Sequence, residues 1–324
     1  MDSNSPEDPL GGFSSSTRRD HQPWGRLQKR ATDVREIREG PVERYGPGPV
    51  LTYGNGRSYG DSCMNGRGTL LDARPLNRIL DFDPASGVLR AEAGTLLGDV
   101  LSHVVPHGWF LPVSPGTRWI TLGGAVANDV HGKNHHVAGT FGRHVRRLEL
   151  VRSDARRIVC GPDLEAEWFA ATVGGLGLTG TMLWVEIQLI PIANRGITVR
   201  TTRFGSLSEF FEISKESGGD YAYTVSWIDC LARGANLGRG RFMAGNHASP
   251  EEQPPRPRSR RLDVFIAPPL SVINRWSVRL FNAVYHRAPA AAHAVVDYEP
   301  FFYPLDAVSR WNRIYGPRGF FQFQ

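Results

Sequence analysis

Apolar and polar residues alternate in short runs through the first half of the chain, and glycine or proline separates the runs. Leu89, Ala91 and Ala93 alternate with Arg90 and Glu92, which is the period of a strand with one exposed side. The same reasoning predicts further strands at 50–53, 70–72, 79–82, 109–117, 148–152, 157–160 and 184–189. Much of this half is therefore expected to be sheet.

Helical spacing interrupts these strands. After Thr95, apolar residues recur every three to four positions until Gly108, which predicts an amphipathic helix with Thr95 as its N-cap and a glycine C-cap. A second helix is predicted to begin at Thr121, whose hydroxyl can cap a run of very small residues. Further helices are predicted at 27–42 and 164–173. Helices and strands are thus mixed in this half, and the fold class that we expect is α+β.

The pattern changes after Asn194. Strands are predicted at 198–204 and 221–228, with a helix at 207–215 between them. Residues 246–261 lack apolar side chains and are predicted to form a mobile loop. A helix at 272–285 carries apolar residues on one side and arginines on another, and we favour a core or lid face over a membrane-lying one. The predicted organisation is a tail at 1–23, a first domain at 24–193 and a second at 194–324.

Composition narrows the function classes. With 324 residues, 40% hydrophobic and 22% charged, the chain resembles an ordinary globular protein of two domains. No apolar run approaches the ~20 residues of a membrane-spanning helix, and residues 1–20 lack the order of a secretory signal. The net charge of +6 is scattered, which disfavours nucleic acid. Lys29, Lys133 and Lys215 are the only lysines among the 38 basic residues, so a lysine within a motif is notable.

The nine residues 53–61, Tyr-Gly-Asn-Gly-Arg-Ser-Tyr-Gly-Asp, are the most informative stretch. Glycines at 54, 56 and 60 do not suit a regular helix or a packed strand. A loop of this kind exposes main-chain N–H groups that an anion can approach. An ordinary hairpin turn is the alternative that this stretch alone leaves open.

Other types of site are poorly supported. His131 and His135 have the spacing of a helical metal pair, but Gly132 and Asn134 indicate a loop, and the three scattered cysteines form no zinc pattern. We expect no metal. No P-loop pattern is present. Residues 175–180 match Gly-x-Gly-x-x-Gly, but they precede a strand, which disfavours a Rossmann site.

Together the motifs resemble those of a known superfamily. The loop at 53–61, Gly123-Gly124, the segment 131–136 and the turn 174–180 occur in the order typical of FAD-linked oxidases with a PCMH-type FAD domain, the vanillyl-alcohol-oxidase superfamily. Within it, residues 56–61 and 131–136 are most similar to the decaprenylphosphoryl-β-D-ribose 2-oxidase family of actinobacterial arabinan and cell wall synthesis. Segments at 311–313, 315–317 and 319–324 extend the resemblance.

The resemblance implies a two-lobed PCMH-type FAD domain and an incomplete substrate domain with an antiparallel sheet flanked by helices. Catalytic roles are implied for His131, Lys133 and Tyr59. Substrate contacts are implied for Lys133, Trp227, Gln322 and Gln324. The implied FAD-binding residues are Tyr53, Gly54, Asn55, Gly56, Arg57, Ser58, Tyr59, Gly60, Asp61, Gly116, Thr121, Leu122, Gly123, Gly124, Asn128, Asp129, Val130, His131 and Met182.

The implied reaction is oxidation of a secondary hydroxyl of a sugar, with hydride transfer to flavin N5. Many relatives link FAD covalently to a histidine of the loop. Arg57 stands at that position, so non-covalent FAD is expected. The implied substrate is a sugar or a polyprenyl-phosphate sugar, an NAD-dependent reductase is an implied partner, and a cytoplasmic, peripheral membrane or periplasmic location is consistent with the resemblance.

Two alternatives remain open from the sequence. One is a sugar-lactone or alditol oxidase of the same superfamily. The other is a catalytically silent flavin-binding remnant, because the chain ends at Gln324, whereas family members continue. Exposed apolar surface and unpaired strand edges would then weaken FAD binding.

Overall fold

The computed structural model describes residues 21–26, 33–37, 48–255, 262–269, 271, 273–289, 291–316 and 319–320. The helices and strands up to residue 191 are, in chain order, β1 (Asp33–Glu36), β2 (Val50–Tyr53), β3 (Thr69–Asp72), β4 (Ile79–Asp83), β5 (Val88–Glu92), α1 (Leu97–Val104), β6 (Trp109–Phe110), α2 (Leu122–Ala127), α3 (His135–Ala138), β7 (Val145–Val151), β8 (Arg157–Cys160), α4 (Ala166–Thr172), β9 (Thr181–Gln188) and β10 (Ile190–Pro191).

The remaining elements follow in the same order. They are β11 (Gly196–Phe204), α5 (Leu207–Ser217), β12 (Tyr223–Ile228), β13 (Gly240–His247), β14 (Leu262–Asp263), α6 (Arg275–Arg287), β15 (His293–Asp297), α7 (Tyr298–Phe302) and β16 (Val308–Ser309). The predicted α+β class, with antiparallel sheets flanked by helices, is confirmed.

A small parallel sheet holds the start of the glycine-rich loop. Its strand order is β1-β3-β2, and all its pairs are parallel. The predicted helix at 27–42 is therefore wrong for its described part, because residues 33–36 pair with β3. Tertiary pairing outweighs the weak helical pattern of this short segment.

A five-stranded antiparallel sheet forms the centre of the first half. Its order is β4-β5-β9-β7-β8, and α1 and α2 pack against it. Leu89, Leu101, Leu122 and Val185 are fully buried in the shared core. Leu96, and not the predicted Thr95, is the N-cap residue of α1. Thr95 instead donates its hydroxyl to the carbonyl of Arg78 at 3.4 Å.

The predicted strand at 109–117 is much shorter in the structure. Only Trp109–Phe110 pairs, and its partner is β10. Pro112 and Pro115 cannot donate main-chain hydrogen bonds, so the ladder stops before them. The chain beyond β6 instead runs as irregular buried structure towards Thr121 and α2.

The second half is built on a four-stranded antiparallel sheet in the order β12-β13-β11-β15. Helix α5 packs on one face, where its Phe210 contacts Phe204 and Phe242. Helix α6 packs on the other face, where Tyr285 meets Trp227 edge to face, with 4.8 Å between ring centroids. The two helices thus cover opposite faces of one sheet.

Aromatic side chains join the two halves. Phe302 of α7 is fully buried and contacts Phe110 of β6 and Tyr223 of β12 at centroid distances of 5.3 and 4.9 Å. His247 of β13 contacts the same Phe110 ring at 5.0 Å. Because these residues belong to both halves, this junction fixes how the second sheet lies against the first.

In the described part of the chain, none of the helices is long and apolar enough to cross a membrane.

Candidate functional site

The glycine-rich loop leaves β2 at Tyr53 and passes beneath the segment 21–26. The Tyr53 hydroxyl donates to the carbonyl of Gln22 at 2.8 Å, and the N–H of Trp24 donates to the carbonyl of Ser58 at 2.9 Å. Tyr53 is 1% exposed, and burial raises its pKa above the usual range, so it stays a neutral donor. The loop is thus tied at both ends to the segment 21–26.

The glycines of this loop fall into two kinds. A Cβ at Gly54 would lie 2.4 Å from the Thr121 hydroxyl oxygen, and one at Gly56 would lie 2.1 Å from the Tyr53 hydroxyl. Gly56 also has a φ of +59°, which side chains disfavour. A Cβ at Gly60 would meet no atom within 4 Å. Gly54 and Gly56 therefore set the shape of the loop, while Gly60 faces open space.

The main-chain N–H groups of residues 54–60 are the donors that the sequence predicts for binding an anion. Within the residues that the structure describes, no protein acceptor takes any of these N–H groups. By contrast, the N–H groups of Leu122 and Gly123 donate to the carbonyls of Thr95 and Ala93, and that of Gly124 donates to Thr121. The loop has donors to offer a ligand, whereas the start of α2 uses its own to hold the helix in place.

The start of α2 packs directly against the loop. Asn55 donates through Nδ2 to the carbonyl of Trp119 at 2.6 Å, and the predicted cap Thr121 is confirmed, since its side chain accepts from Gly124. A Cβ at Gly123 would lie 2.9 Å from the Ala93 Cβ, so only glycine permits this close approach. The loop and α2 are one structural unit, as the resemblance requires.

Arg57 lies inside this unit. Its guanidinium carbon sits 4.0 Å from the centroid of the Trp24 ring, and its Nε donates to the carbonyl of Trp119 at 3.5 Å. Burial lowers the pKa of Arg57 to about 10, an effect that the Asp306 carboxylate opposes. Arg57 therefore remains a cation at neutral pH and adds positive charge beside the free N–H groups.

Asp306 is a residue that sequence reasoning missed. It accepts from the Thr117 hydroxyl at 2.7 Å and from the N–H of Arg118 at 3.0 Å. Burial raises the pKa of its carboxyl group, although these hydrogen bonds oppose the rise. Ser114 and Tyr303 are hydrogen-bonded nearby. No local pattern marks these pairs, because their partners come from distant parts of the chain.

The remaining loop and helix residues are placed as follows. Asn128 closes α2, with Nδ2 donating to the carbonyl of Gly124. Asp129, at a φ of +41°, accepts from the N–H of Gly142 at 2.8 Å. Val130 donates its N–H to the carbonyl of Ala125. The side chain of Met182 is buried in the core, so this position can offer a ligand little beyond its main chain.

Gly116 and His131 are both exposed to solvent. A Cβ at Gly116 would meet no atom within 4 Å, like the Gly60 position in the loop. His131 pairs with Thr140 through a single antiparallel bridge, and its ring lies 5.7 Å from that of His135. Asp61 is exposed at the end of the loop. These positions are accessible to a ligand.

Lys133 crosses from the first half to the junction. Its Nζ donates to the carbonyl of Phe302 at 3.2 Å and lies about 6 Å from the centroids of two α7 rings, those of Phe301 and Phe302. Its own carbonyl accepts from the N–H of Thr224 at 2.8 Å. Burial lowers the pKa of Lys133 to about 8. Lys133 is therefore a partly buried cation at the junction and not an exposed loop charge.

The charge of Lys133 is not neutralised in the described part of the chain. None of the carboxylates there lies within ion-pair distance of Nζ. A half-buried ammonium group whose protein partners are a carbonyl and two aromatic rings favours an added anion over a further cation.

Tyr59 and Trp227 lie apart from Lys133 in the contacts that the structure shows. Tyr59 packs against Phe320 at 5.5 Å between ring centroids, and burial raises its pKa. Trp227 is half-buried and contacts Tyr285 of α6. Gln322 and Gln324 lie outside the described residues. The loop and α2 are thus brought together directly, while the substrate assignments remain predictions.

Comparison with known proteins shows what this chain is similar to. Residues 46–161 match a family model described as an FAD binding domain. The chain is 35% identical over 289 residues to decaprenylphosphoryl-beta-D-ribose oxidase of Mycolicibacterium smegmatis, covering 85% of this chain and 62% of that protein. It is 29% identical over 164 residues to L-gulonolactone oxidase of Mus musculus, covering 49% of this chain and 36% of that protein.

A third relative is described as an uncharacterized protein in the mprA 5' region of Streptomyces coelicolor, at 41% identity over 159 residues and 43% of its length. The chain therefore spans less than two thirds of the length of each of these three curated relatives. The matches confirm the resemblance to PCMH-type FAD-linked oxidases and confirm FAD as the cofactor.

Proposed function

Because residues 46–161 form an FAD-binding domain and the chain is related to FAD-linked oxidases, we propose that it is an FAD-dependent oxidoreductase acting on a secondary hydroxyl of a sugar. Bound FAD supplies a hydride acceptor for such a substrate. The substrate proposed is a polyprenyl-phosphoryl ribose, the class named in the relative from Mycolicibacterium smegmatis. The catalytic roles that the resemblance implies for His131, Lys133 and Tyr59 are part of this proposal.

The free donors of the loop support the way in which FAD is held. Its diphosphate would lie on the N–H groups of residues 54–60, with the charge of Arg57 behind them. Tyr53, Thr121 and Gly123 would keep that surface rigid through the contacts described above. We propose that the flavin is bound without a covalent link, because arginine at position 57 forms no bond to flavin.

Lys133 is the single observation that carries the substrate proposal. Its ammonium group lacks a carboxylate partner among the described residues and stands where the two halves meet. A phosphate on the sugar would supply the missing negative charge. Since burial lowers the pKa of Lys133 to about 8, this attraction should weaken as the pH rises through 8.

The test measures how far each substrate bleaches the flavin in the absence of oxygen. Purified chain is mixed with a farnesyl- or decaprenyl-phosphoryl ribose, with ribose lacking phosphate, or with L-gulonolactone, and the visible absorbance of the flavin is recorded. Rapid bleaching by the phosphoryl ribose alone is expected. Bleaching by the lactone alone would favour the sugar-lactone oxidase, and bleaching by none of the three would favour a silent flavin-binding protein.

A matched pair of lysine variants sharpens the test. Lys133→Ala should raise the substrate concentration for half-maximal bleaching by about tenfold or more, since a hydrogen bond to a charged group is lost. Lys215→Ala removes an exposed lysine on α5 and should leave it unchanged. Equal behaviour of the two variants would remove Lys133 from the substrate site.

A further inference from the structure

Helix α6 presents its polar side to the protein and its apolar side to water. Asn282 is 6% exposed and donates through Nδ2 to a carboxylate oxygen of Asp229 at 2.6 Å. Tyr285 packs on Trp227, and Arg241 of β13 lies over the same Tyr285 ring at 4.8 Å. These contacts fix which side of the helix faces the sheet, so its orientation is determined by polar and aromatic partners.

The outward side carries a continuous apolar row. We call Ile273, Trp276, Leu280, Phe281 and Val284 the α6 apolar surface. Trp276, Leu280 and Val284 repeat at four-residue spacing, along one side of the helix, and are 64%, 69% and 62% exposed. Of the two alternatives favoured from the sequence, the core face is therefore wrong, and the lid face stays a prediction. Chains that stay monomeric in water rarely leave such a row uncovered unless it binds something.

The charged residues of the helix itself are all of one sign. Residues 273–289 contain Arg275, Arg279 and Arg287 and no acidic residue. The guanidinium carbons of Arg275 and Arg279 lie 4.8 and 5.8 Å from the centroid of the Trp276 ring. An exposed tryptophan flanked by arginines combines an apolar body with groups that bind phosphate.

Helix α5 provides an internal contrast. It packs on the opposite face of the same sheet and also exposes a large aromatic side chain, Phe211, at 65%. Its charged residues, however, are Glu209, Glu212 and Glu216 with a single lysine. Exposed apolar area is thus common to both helices, but only α6 joins it to an unbroken positive charge.

We propose that the α6 apolar surface docks this chain on an anionic lipid membrane. The apolar row would enter the boundary between headgroups and acyl chains, and the arginines would contact lipid phosphates, as amphipathic interfacial helices do. A second copy of the chain fits less well, because arginines of like charge would face each other across the contact. The proposal goes beyond the proposed oxidation and requires neither flavin nor turnover.

The experiment is vesicle co-sedimentation of the purified chain. Vesicles of phosphatidylcholine with phosphatidylglycerol are compared with vesicles of phosphatidylcholine alone, at low and at high salt. We expect partitioning into the anionic vesicles that falls with added salt. Arg275→Gln with Arg279→Gln should reduce the partition coefficient about fivefold for each arginine, and Trp276→Ser with Leu280→Ser should reduce it about tenfold or more.

Controls come from the opposite helix. Phe211→Ser and Lys215→Gln remove an exposed aromatic ring and an exposed cation from α5 and should leave vesicle binding unchanged. Equal loss in the α5 and α6 variants, or equal binding to both kinds of vesicle, would overturn the proposal. So would absence of vesicle binding together with self-association that Trp276→Ser and Leu280→Ser abolish, which would assign the surface to a second copy. Flavin bleaching is measured separately and tests the proposed oxidation, so failure of one proposal can be distinguished from failure of the other.

Discussion

The two halves of the molecule are stabilised by different kinds of contact. The five-stranded sheet of the first half buries aliphatic side chains such as Leu89, Leu101 and Val185 completely. The four-stranded sheet of the second half has a small apolar cluster under α5 and polar contacts under α6. Ten of the eighteen large apolar side chains that are exposed among the described residues lie between 237 and 305.

This difference indicates which contacts hold the glycine-rich loop in place and which hold the second half. The glycine-rich loop is held by a core and by main-chain contacts within the first half. The second half is joined to the first by the aromatic junction around Phe302. We therefore expect changes at the junction to have the largest effect on stability, and changes in the loop to act mainly on the flavin.

Phe302→Ala should have the largest effect on stability, because it removes the centre of the junction. Phe302 is fully buried between Phe110 and Tyr223, so its removal should lower the free energy of unfolding by about 3–5 kcal/mol. Urea unfolding followed by tryptophan fluorescence measures this. Phe211→Ala, at an exposed position, should cost less than about 1 kcal/mol; similar losses for both variants would show that the junction is not the main support.

Acid should weaken the same junction. Burial lowers the pKa of His247 to about 4, whereas an unfolded histidine titrates near about 6.5. Between these values the unfolded chain binds a proton that the folded chain does not, so stability falls as the pH drops from about 6.5 to about 4. The loss is up to about 3 kcal/mol, at 1.36 kcal/mol per pKa unit.

Urea midpoints at several pH values test this expectation. His247→Phe should be less sensitive than the unchanged chain across that window. Asp72, which accepts from Arg74 and His21, does not confound the measurement, because hydrogen bonds outweigh burial and keep its pKa below the usual range. Its contribution to stability is lost only at lower pH. An unchanged acid dependence in His247→Phe would exclude His247 as the cause.

The sequence predicts the first half better than the second for a physical reason. The glycine-rich loop and the α2 start are local patterns, since glycine spacing and a threonine cap act within a few residues. The local pattern of residues 33–36 predicts a helix, because the pairing of this segment with β3 involves residues distant in sequence. β13 contains Gly240 and Gly245, which hide its strand pattern.

The candidate site shows the same division. Residues 53–61 and Thr121 are recognisable from sequence, and their contacts follow from the loop and the cap. Asp306, and the pairing of Ser114 with Tyr303, depend on chain segments that meet only after folding. Exposure of the α6 apolar surface also depends on folding, because the periodicity of a helix does not say which side faces the sheet.

Gly56 and Gly60 of the glycine-rich loop differ in the space around them, and substitutions there should have smaller effects on stability. Gly56→Ala places a Cβ where the Tyr53 hydroxyl lies and at a positive φ, which costs about 1–2 kcal/mol. FAD affinity should fall about tenfold or more. Gly60→Ala adds a Cβ in open space and leaves the main-chain N–H group in place, so it should lower FAD affinity less than Gly56→Ala does. Titration of apoprotein with FAD, followed by flavin fluorescence, separates the two variants.

We propose above that the loop 53–61 holds FAD as a dissociable cofactor. The most direct measurement is to denature the purified yellow protein in acid, sediment the polypeptide and record flavin in each fraction. With arginine at position 57, all of the flavin should be in the supernatant, and neutralised apoprotein should rebind added FAD. Flavin that stays with the washed polypeptide would show a covalent link and refute this proposal.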